Sequence, residues 1–188
     1  MSKAEYRSAQ RSRRRIQQAL ADLLQEKPLD KITVTDIVRQ ADINRGTFYA
    51  HYENVPDVIN RLVDEHCEII KEALHGEVVK GNAPNPRAVL QEIMGMIQKD
   101  LDFYQKVLGS GAGHSIVEKM KTVIVDYLLE YEKDIKYMDH EHFLFTISFG
   151  AGGAINLYMD WFAGKLPLSL DVVTEKASDV LCTMLQVK

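Results

Sequence analysis

The sequence is poor in the residues that build stapled or metal-held proteins. Two cysteines in 188 residues, Cys67 and Cys182, exclude a disulfide framework, and their separation does not fit a zinc module. No internal repeat or low-complexity tract interrupts the chain. No segment alternates long enough for a strand, since Ile32-Thr33-Val34 is too short and lies between helix signals. A long hydrophobic run is also missing. The most apolar stretch, Phe143 to Ala163, is interrupted by Ser148, Asn156, Asp160 and three clustered glycines, so it predicts a buried helix and not a membrane span. The basic N-terminus has no apolar segment behind it, which speaks against a signal peptide and for a cytoplasmic protein. Catalytic signatures are absent too: there is no glycine-rich phosphate loop, no nucleophile elbow and no Ser/His/Asp arrangement. The expectation is a protein that is not an enzyme and needs neither cofactor nor metal.

What is present is an ordinary globular balance, 46% hydrophobic and 27% charged, divided unequally along the chain. Residues 1–52 hold ten Lys/Arg against six Asp/Glu, whereas residues 53–188 hold thirteen against twenty-one. A pI near 5.9 for the whole chain therefore conceals a basic first quarter.

Helical periodicity runs from end to end. Ile16, Ala19, Leu20, Leu23 and Leu24 make one apolar face over residues 12–26, ended by Lys27-Pro28. Thr33 with Asp36 has capping-box spacing and predicts a short helix to about Gln40. Asn44 caps a second short helix to about His51, and Asn54 with Asp57 opens a long one. Gly81–Pro86 is a turn cluster. Further helices are expected at about 86–107, 115–132, 140–164 and 170–186, about nine in all, so the fold class is all-α. Gly109–Gly113 reads as a flexible connection, with a gate over a cavity as the alternative.

Two short helices joined by three or four residues, behind a basic helix, fit a helix-turn-helix; two such helices also occur in plain bundles. Ile37, Val38, Ala41, Ile43 and Phe48 would brace the pair against Leu20, Leu23 and Leu24. The second helix would then expose Arg45, Gly46, Thr47, Tyr49, Ala50 and His51 behind its cap, Asn44. Arg45 suits guanine O6/N7, and Thr47 suits a base or a phosphate. Gly46 permits close backbone approach, while Tyr49 and His51 can donate to phosphates. Lys3, Arg7, Arg11, Arg13, Arg14 and Arg15 form a basic arm suited to the DNA backbone or minor groove.

The run Ile32-Thr33-Val34-Thr35-Asp36-Ile37-Val38, followed by Ala41-Asp42-Ile43-Asn44-Arg45-Gly46-Thr47-Phe48-Tyr49-Ala50-His51-Tyr52, resembles the DNA-binding signature of the TetR family of bacterial transcriptional regulators. The resemblance covers roughly residues 11–63. It implies a three-helix helix-turn-helix head, residues 1–54, on a helical ligand-binding and dimerisation body, residues 55–188. It places Arg45, Gly46 and Thr47 at bases, Tyr49 and His51 at phosphates, and Thr33 and Thr35 at the start of the supporting helix. One departure is Val55, where many relatives carry a phosphate-gripping lysine; Asn54 and the amides of that helix start could bind a phosphate in its place. The segments Phe149–Ile155 and Trp161–Ser169 resemble the branch that includes regulators of dihydroxyacetone kinase.

The resemblance also implies partners: a double-stranded, palindromic operator in the bacterial nucleoid, a second copy of the chain, and a small-molecule effector. The resulting expectation is a homodimeric, ligand-responsive repressor with no membrane association. The alternative is a helical homodimer acting through a protein partner, in the manner of a co-activator. Met94, Ile97, Phe103, Tyr104, Leu108, Met120, Ile124, Tyr127 and Phe149 are the candidate pocket lining, though such stripes also make ordinary core. Gly150, Gly153, Leu157, Trp161, Val173, Ala177, Val180, Leu181 and Met184 are the candidate dimer surface on the last two helices. His140 and His142 beside Asp139 and Glu141 read as a solvated helix start, and His114 as a possible polar contact. Cys67 and Cys182 read as small core residues.

Overall fold

The computed structural model describes residues 3–78, 85–130 and 139–185, and within them finds nine α-helices, one 3₁₀ turn and no strand. The helices are α1 (Lys3–Leu23), α2 (Val34–Gln40), α3 (Arg45–Tyr49), α4 (Val55–Val78), α5 (Pro86–Lys99), α6 (Leu101–Leu108), α7 (Gly113–Glu130), α8 (His140–Phe162) and α9 (Leu170–Met184). None of them is long and apolar enough to cross a membrane. The expected turn at Gly81–Pro84 and the expected ends at residues 131–132 and 186 lie outside the described residues.

Local chemistry sets most helix starts. The Thr33 hydroxyl accepts from the Asp36 N–H, and the Asp36 carboxylate accepts from the Thr33 N–H at 2.9 Å, a complete capping box. Hydrogen bonds from Lys27 and from Thr33 hold the Asp36 carboxyl well below the usual range. Asn44 accepts from Thr47 N–H at 2.7 Å, and Asn54 from Asp57 N–H at 2.9 Å. Asn85, Asp139 and Ser169 cap α5, α8 and α9 in the same way.

Two expectations are corrected. The basic arm is not separate from the first helix, because α1 begins at Lys3 and carries the arginines on helical turns. The single helix expected over 86–107 is two. Asp100 leaves helical geometry at φ −150°, ψ 58°, its N–H returns to Ile97 O, and its carboxylate accepts from Arg14 at 2.6 Å. The break lets α6 fold against α1. There Lys106 bridges Asp22 and Asp102 at 2.9 and 2.7 Å, and Gln25 donates to the Lys106 carbonyl at 2.7 Å.

One hydrophobic core joins α1–α4 to α6 and α7: Ile16, Leu20, Ile37, Phe48 and Tyr52 share a cluster with Val58, Val63, Phe103, Val107 and Ile116. The start of α4 and the adjoining faces of α6 and α7 therefore share one core with the first three helices.

The glycine segment before α7 is not uniformly loose. A Cβ on Gly113 would lie 2.0 Å from the Leu108 carbonyl oxygen, whereas one on Gly111 would meet nothing within 4 Å. Only hydrogen allows α7 to start this close to the end of α6. Gly113→Ala is expected to cost about 1–3 kcal/mol by overpacking, while Gly111→Ala stays within about 0.5 kcal/mol. Urea denaturation of the two variants checks the difference.

Candidate nucleic-acid interface and body cavity

Phe48, wholly buried, orients α3. Its ring meets Tyr49 edge-on at 5.5 Å and Tyr52 at 5.9 Å. With that face held down, α3 leaves Arg45, Gly46, Tyr49 and Ala50 exposed to solvent, Tyr49 by 54%. The turn between α2 and α3 places Asp42 at φ 50°, a left-handed conformation that Asp tolerates better than most side chains, and Arg15 pairs with it at 3.1 Å. Within the tip, the Arg45 guanidinium donates to the Thr35 hydroxyl at 2.6 Å, which joins the two helix starts. The Asn44 amide oxygen also accepts from the Thr47 hydroxyl at 3.1 Å. A Cβ on Gly46 would press on that same oxygen at 3.2 Å, so glycine keeps the cap undisturbed.

The structure brings Thr33, Thr35, Asn44, Arg45, Gly46, Thr47 and Tyr49 together at the two short helices. His51 sits behind them, half-buried, with Nε2 2.7 Å from the Ser12 hydroxyl; burial first, then Arg13 and Arg61, lowers its pKa. Asn54 is exposed at the start of α4, and Val55 is buried in the core, where a charged side chain would have to be turned outward.

Arg14 departs from the expected set. Its guanidinium is turned to Asp100 at the α5–α6 junction, Arg13 pairs with Glu65 on α4, and Arg15 pairs with Asp42. Three consecutive residues on a helix point about 100° apart, so they cannot serve one surface. Arg7 and Arg11, four apart and exposed, keep a common face; the Lys3 side chain lies outside the described residues.

A second feature is a cavity of about 240 Å³ bounded by α4 to α9. Ile97, Tyr104, Leu108, Met120 and Ile124 line it as expected from the sequence. Met94, Phe103, Tyr127 and Phe149 do not. Phe103 is in the core shared with the first three helices, Met94 packs in the α5–α9 cluster, and Tyr127 lies near Lys71. Phe149 is 64% exposed on the outside of α8. The sequence reading missed His66 as a lining residue. Its signal was a lone imidazole in the apolar stripe of α4, four residues from Leu62 and from Ile70. His66 Nδ1 lies 2.6 Å from the Leu62 carbonyl, and its Nε2 is hydrogen-bonded to the Tyr104 hydroxyl. Burial lowers the His66 pKa and pushes the Tyr104 phenol up to about 12.

The last two helices divide their faces otherwise than expected. Gly150, Val173 and Ala177 are buried within the protomer, and a Cβ on Gly150 would strike Leu181 Cδ2 at 2.6 Å. Leu181 is thereby committed to α8, Trp161 donates its indole N–H to the Leu168 carbonyl at 2.9 Å, and Met184 is half-buried. The outward stripe is Phe145, Phe149, Gly153 and Leu157 on α8, with Val172 and Val180 on α9. Phe145, 67% exposed, stacks on Phe149 at 5.9 Å with planes 10° apart. Cys67 is buried, and burial pushes its thiol up to about 11, which disfavours the reactive thiolate. His140 and His142 are exposed in the first turn of α8, and among the described residues no three His, Cys, Asp or Glu side chains gather as a metal site.

Comparison with known proteins places this architecture. Residues 16–56 match the family described as bacterial regulatory proteins, tetR family, and residues 84–182 match a transcriptional regulator C-terminal region. Two relatives from Bacillus subtilis (strain 168) are similar over about a third of the chain. One, the uncharacterized HTH-type transcriptional regulator YxbF, is 40% identical over 62 residues, 32% of this chain and 16% of that protein. The other, YvdT, described in the same terms, is 34% identical over 67 residues, 34% of each. The match thus spans between a sixth and a third of these relatives' length. Among solved structures, the dihydroxyacetone kinase operon activator DhaS superposes with a TM-score of 0.61 at 16% identity, over 94% of this chain and 97% of its own. That likeness is one of fold.

Proposed function

The chain belongs to the tetR family of bacterial regulatory proteins, a family of transcriptional regulators and not of enzymes, and on that premise we propose that it is a homodimeric, ligand-responsive repressor of a palindromic operator. Residues 1–54 act as the DNA-binding head and residues 55–188 as the body. The observation that carries the reading is the capped tip of α3, with Arg45 and Gly46 exposed and Thr47 half-buried beside them, raised on a closed apolar core. Arg45 reads a guanine, Thr47 a base or phosphate, and Tyr49 with the Thr33 and Thr35 hydroxyls fixes the helix against the backbone.

A second copy is required because one five-residue helix covers only one half-site. Two copies joined through the outward stripe of α8 and α9 present paired α3 helices to successive major grooves, roughly 34–36 Å apart. The cavity supplies the response. It borders α4 and α6, which also pack on the head, so an effector that fits one arrangement of these helices better than another changes the spacing of the two tips.

Footprinting on upstream DNA tests the proposal. Arg45→Ala is expected to lower specific affinity by about 1–3 kcal/mol and to relax one base position, leaving the others intact. Unchanged affinity and unchanged sequence preference overturn it.

A further inference from the structure

We infer that the body cavity takes a neutral, medium-chain aliphatic molecule whose single hydroxyl inserts between His66 and Tyr104. This rests on the reading of the cavity as the effector site and adds the chemistry of the effector.

Size comes first. The cavity of about 240 Å³ lies below the roughly 300–1,000 Å³ of typical small-molecule pockets, which suits a short alkyl chain. Its wall is mostly apolar, from Leu62 and Ile70 on α4 to Ile155 on α8, with the hydroxyls of Thr146 and of Tyr158, the latter bonded to Thr174, at its α8 side. Charge comes second. Among the described residues no carboxylate borders the cavity, and its one cation, Lys121, is paired with Glu118 one turn away. An ammonium would enter without a counter-charge, and a carboxylate or phosphate would have to draw Lys121 from Glu118 or stand unpaired in an apolar wall, which is strongly disfavoured.

The polar pair then selects among neutral groups. The Leu62 carbonyl can only accept, so His66 Nδ1 carries the proton, Nε2 is an acceptor, and the Tyr104 hydroxyl donates to it. A ketone or ester can only accept. It would draw the Tyr104 proton to itself and strand a buried imidazole nitrogen. A hydroxyl accepts from Tyr104 and donates to His66 Nε2, so every polar atom stays satisfied.

Calorimetric titration of the full chain at pH 8 with 1-octanol, sodium octanoate and 2-octanone tests this. The expected result is one 1-octanol per protomer, bound at least tenfold more tightly than octanoate or octanone. His66→Phe, which removes the acceptor and leaves the Tyr104 hydroxyl open to alcohol and ketone alike, should bring 1-octanol level with 2-octanone, and Ala151→Leu, which fills the cavity, should abolish binding of all three. Octanoate or octanone bound as tightly as the alcohol, or none of the three bound, overturns the inference. Should a variant not fold, the ranking on the unaltered protein decides alone. The titration contains no DNA, so its failure leaves operator binding standing, and a failed footprint leaves the alcohol site standing.

Discussion

Phe149→Glu is expected to separate the proposed homodimer into monomers and to lower operator affinity by about 10²–10⁴-fold. Phe149 and Phe145 lie four residues apart on α8, stacked and mostly in solvent, in line with Gly153 and Leu157. Exposed aromatic pairs of this size rarely remain uncovered in a monomer. A two-fold interface meets itself, so one substitution places two carboxylates in the apolar patch of α8, where a desolvated charge is costly. The DNA effect follows from linkage. One head anchored on its half-site holds the second at a high effective concentration, and that advantage, about 10²–10⁴-fold, disappears with the dimer. Sedimentation gives the assembly state, and footprinting of the same sample gives the affinity. Gly150→Ala is the contrast: it faces Leu181 inside the protomer, so it should disturb stability before assembly. A Phe149→Glu protein that stays dimeric would remove α8 from the interface.

Phe48→Ala has the largest effect expected on the fold, about 3–5 kcal/mol. Phe48 has no exposed surface and joins α3 to Ile16, Ile37 and Tyr52. The head has no other large side chain on α3 to fill the space, since Tyr49 points outward. For a chain of this length each kcal/mol moves the melting point by roughly 2–4 °C, so a fall of about 6–20 °C is expected in a thermal melt at fixed protein concentration. Because the same core includes residues of α6 and α7, loss should extend beyond the head. A melt unchanged within 2–3 °C would mean that α3 is not held by this ring.

Much of the head was legible because its determinants are local. Thr33, Asn44 and Asn54 cap helices by bonds three residues long, and periodicity alone turns Phe48 inward and Gly46 and Ala50 outward. The arm was misread for a related reason. Once α1 extends to Lys3, consecutive Arg13, Arg14 and Arg15 diverge, and long-range partners on α4, at the α5–α6 junction and in the α2–α3 turn take them. The break at Asp100 was invisible because the apolar stripe passes through it with little change of phase, and what fixes the turn is packing against α1.

In the body, amphipathicity gave the helices but not their neighbours. Gly150 and Phe149 are adjacent in sequence, yet one is sealed beneath Leu181 and the other faces water. A helix apolar on more than one side does not state which side goes inward. His66 and Tyr104 meet across 38 residues, a pairing that no spacing rule anticipates. The amino-acid order therefore determined the helical class, the capped starts and the reading tip, since each depends on groups within about one turn. Tertiary structure alone decided the cavity, its buried polar pair and the outward stripe. Those depend on which apolar faces cover one another, and that choice minimises exposed surface over the whole chain.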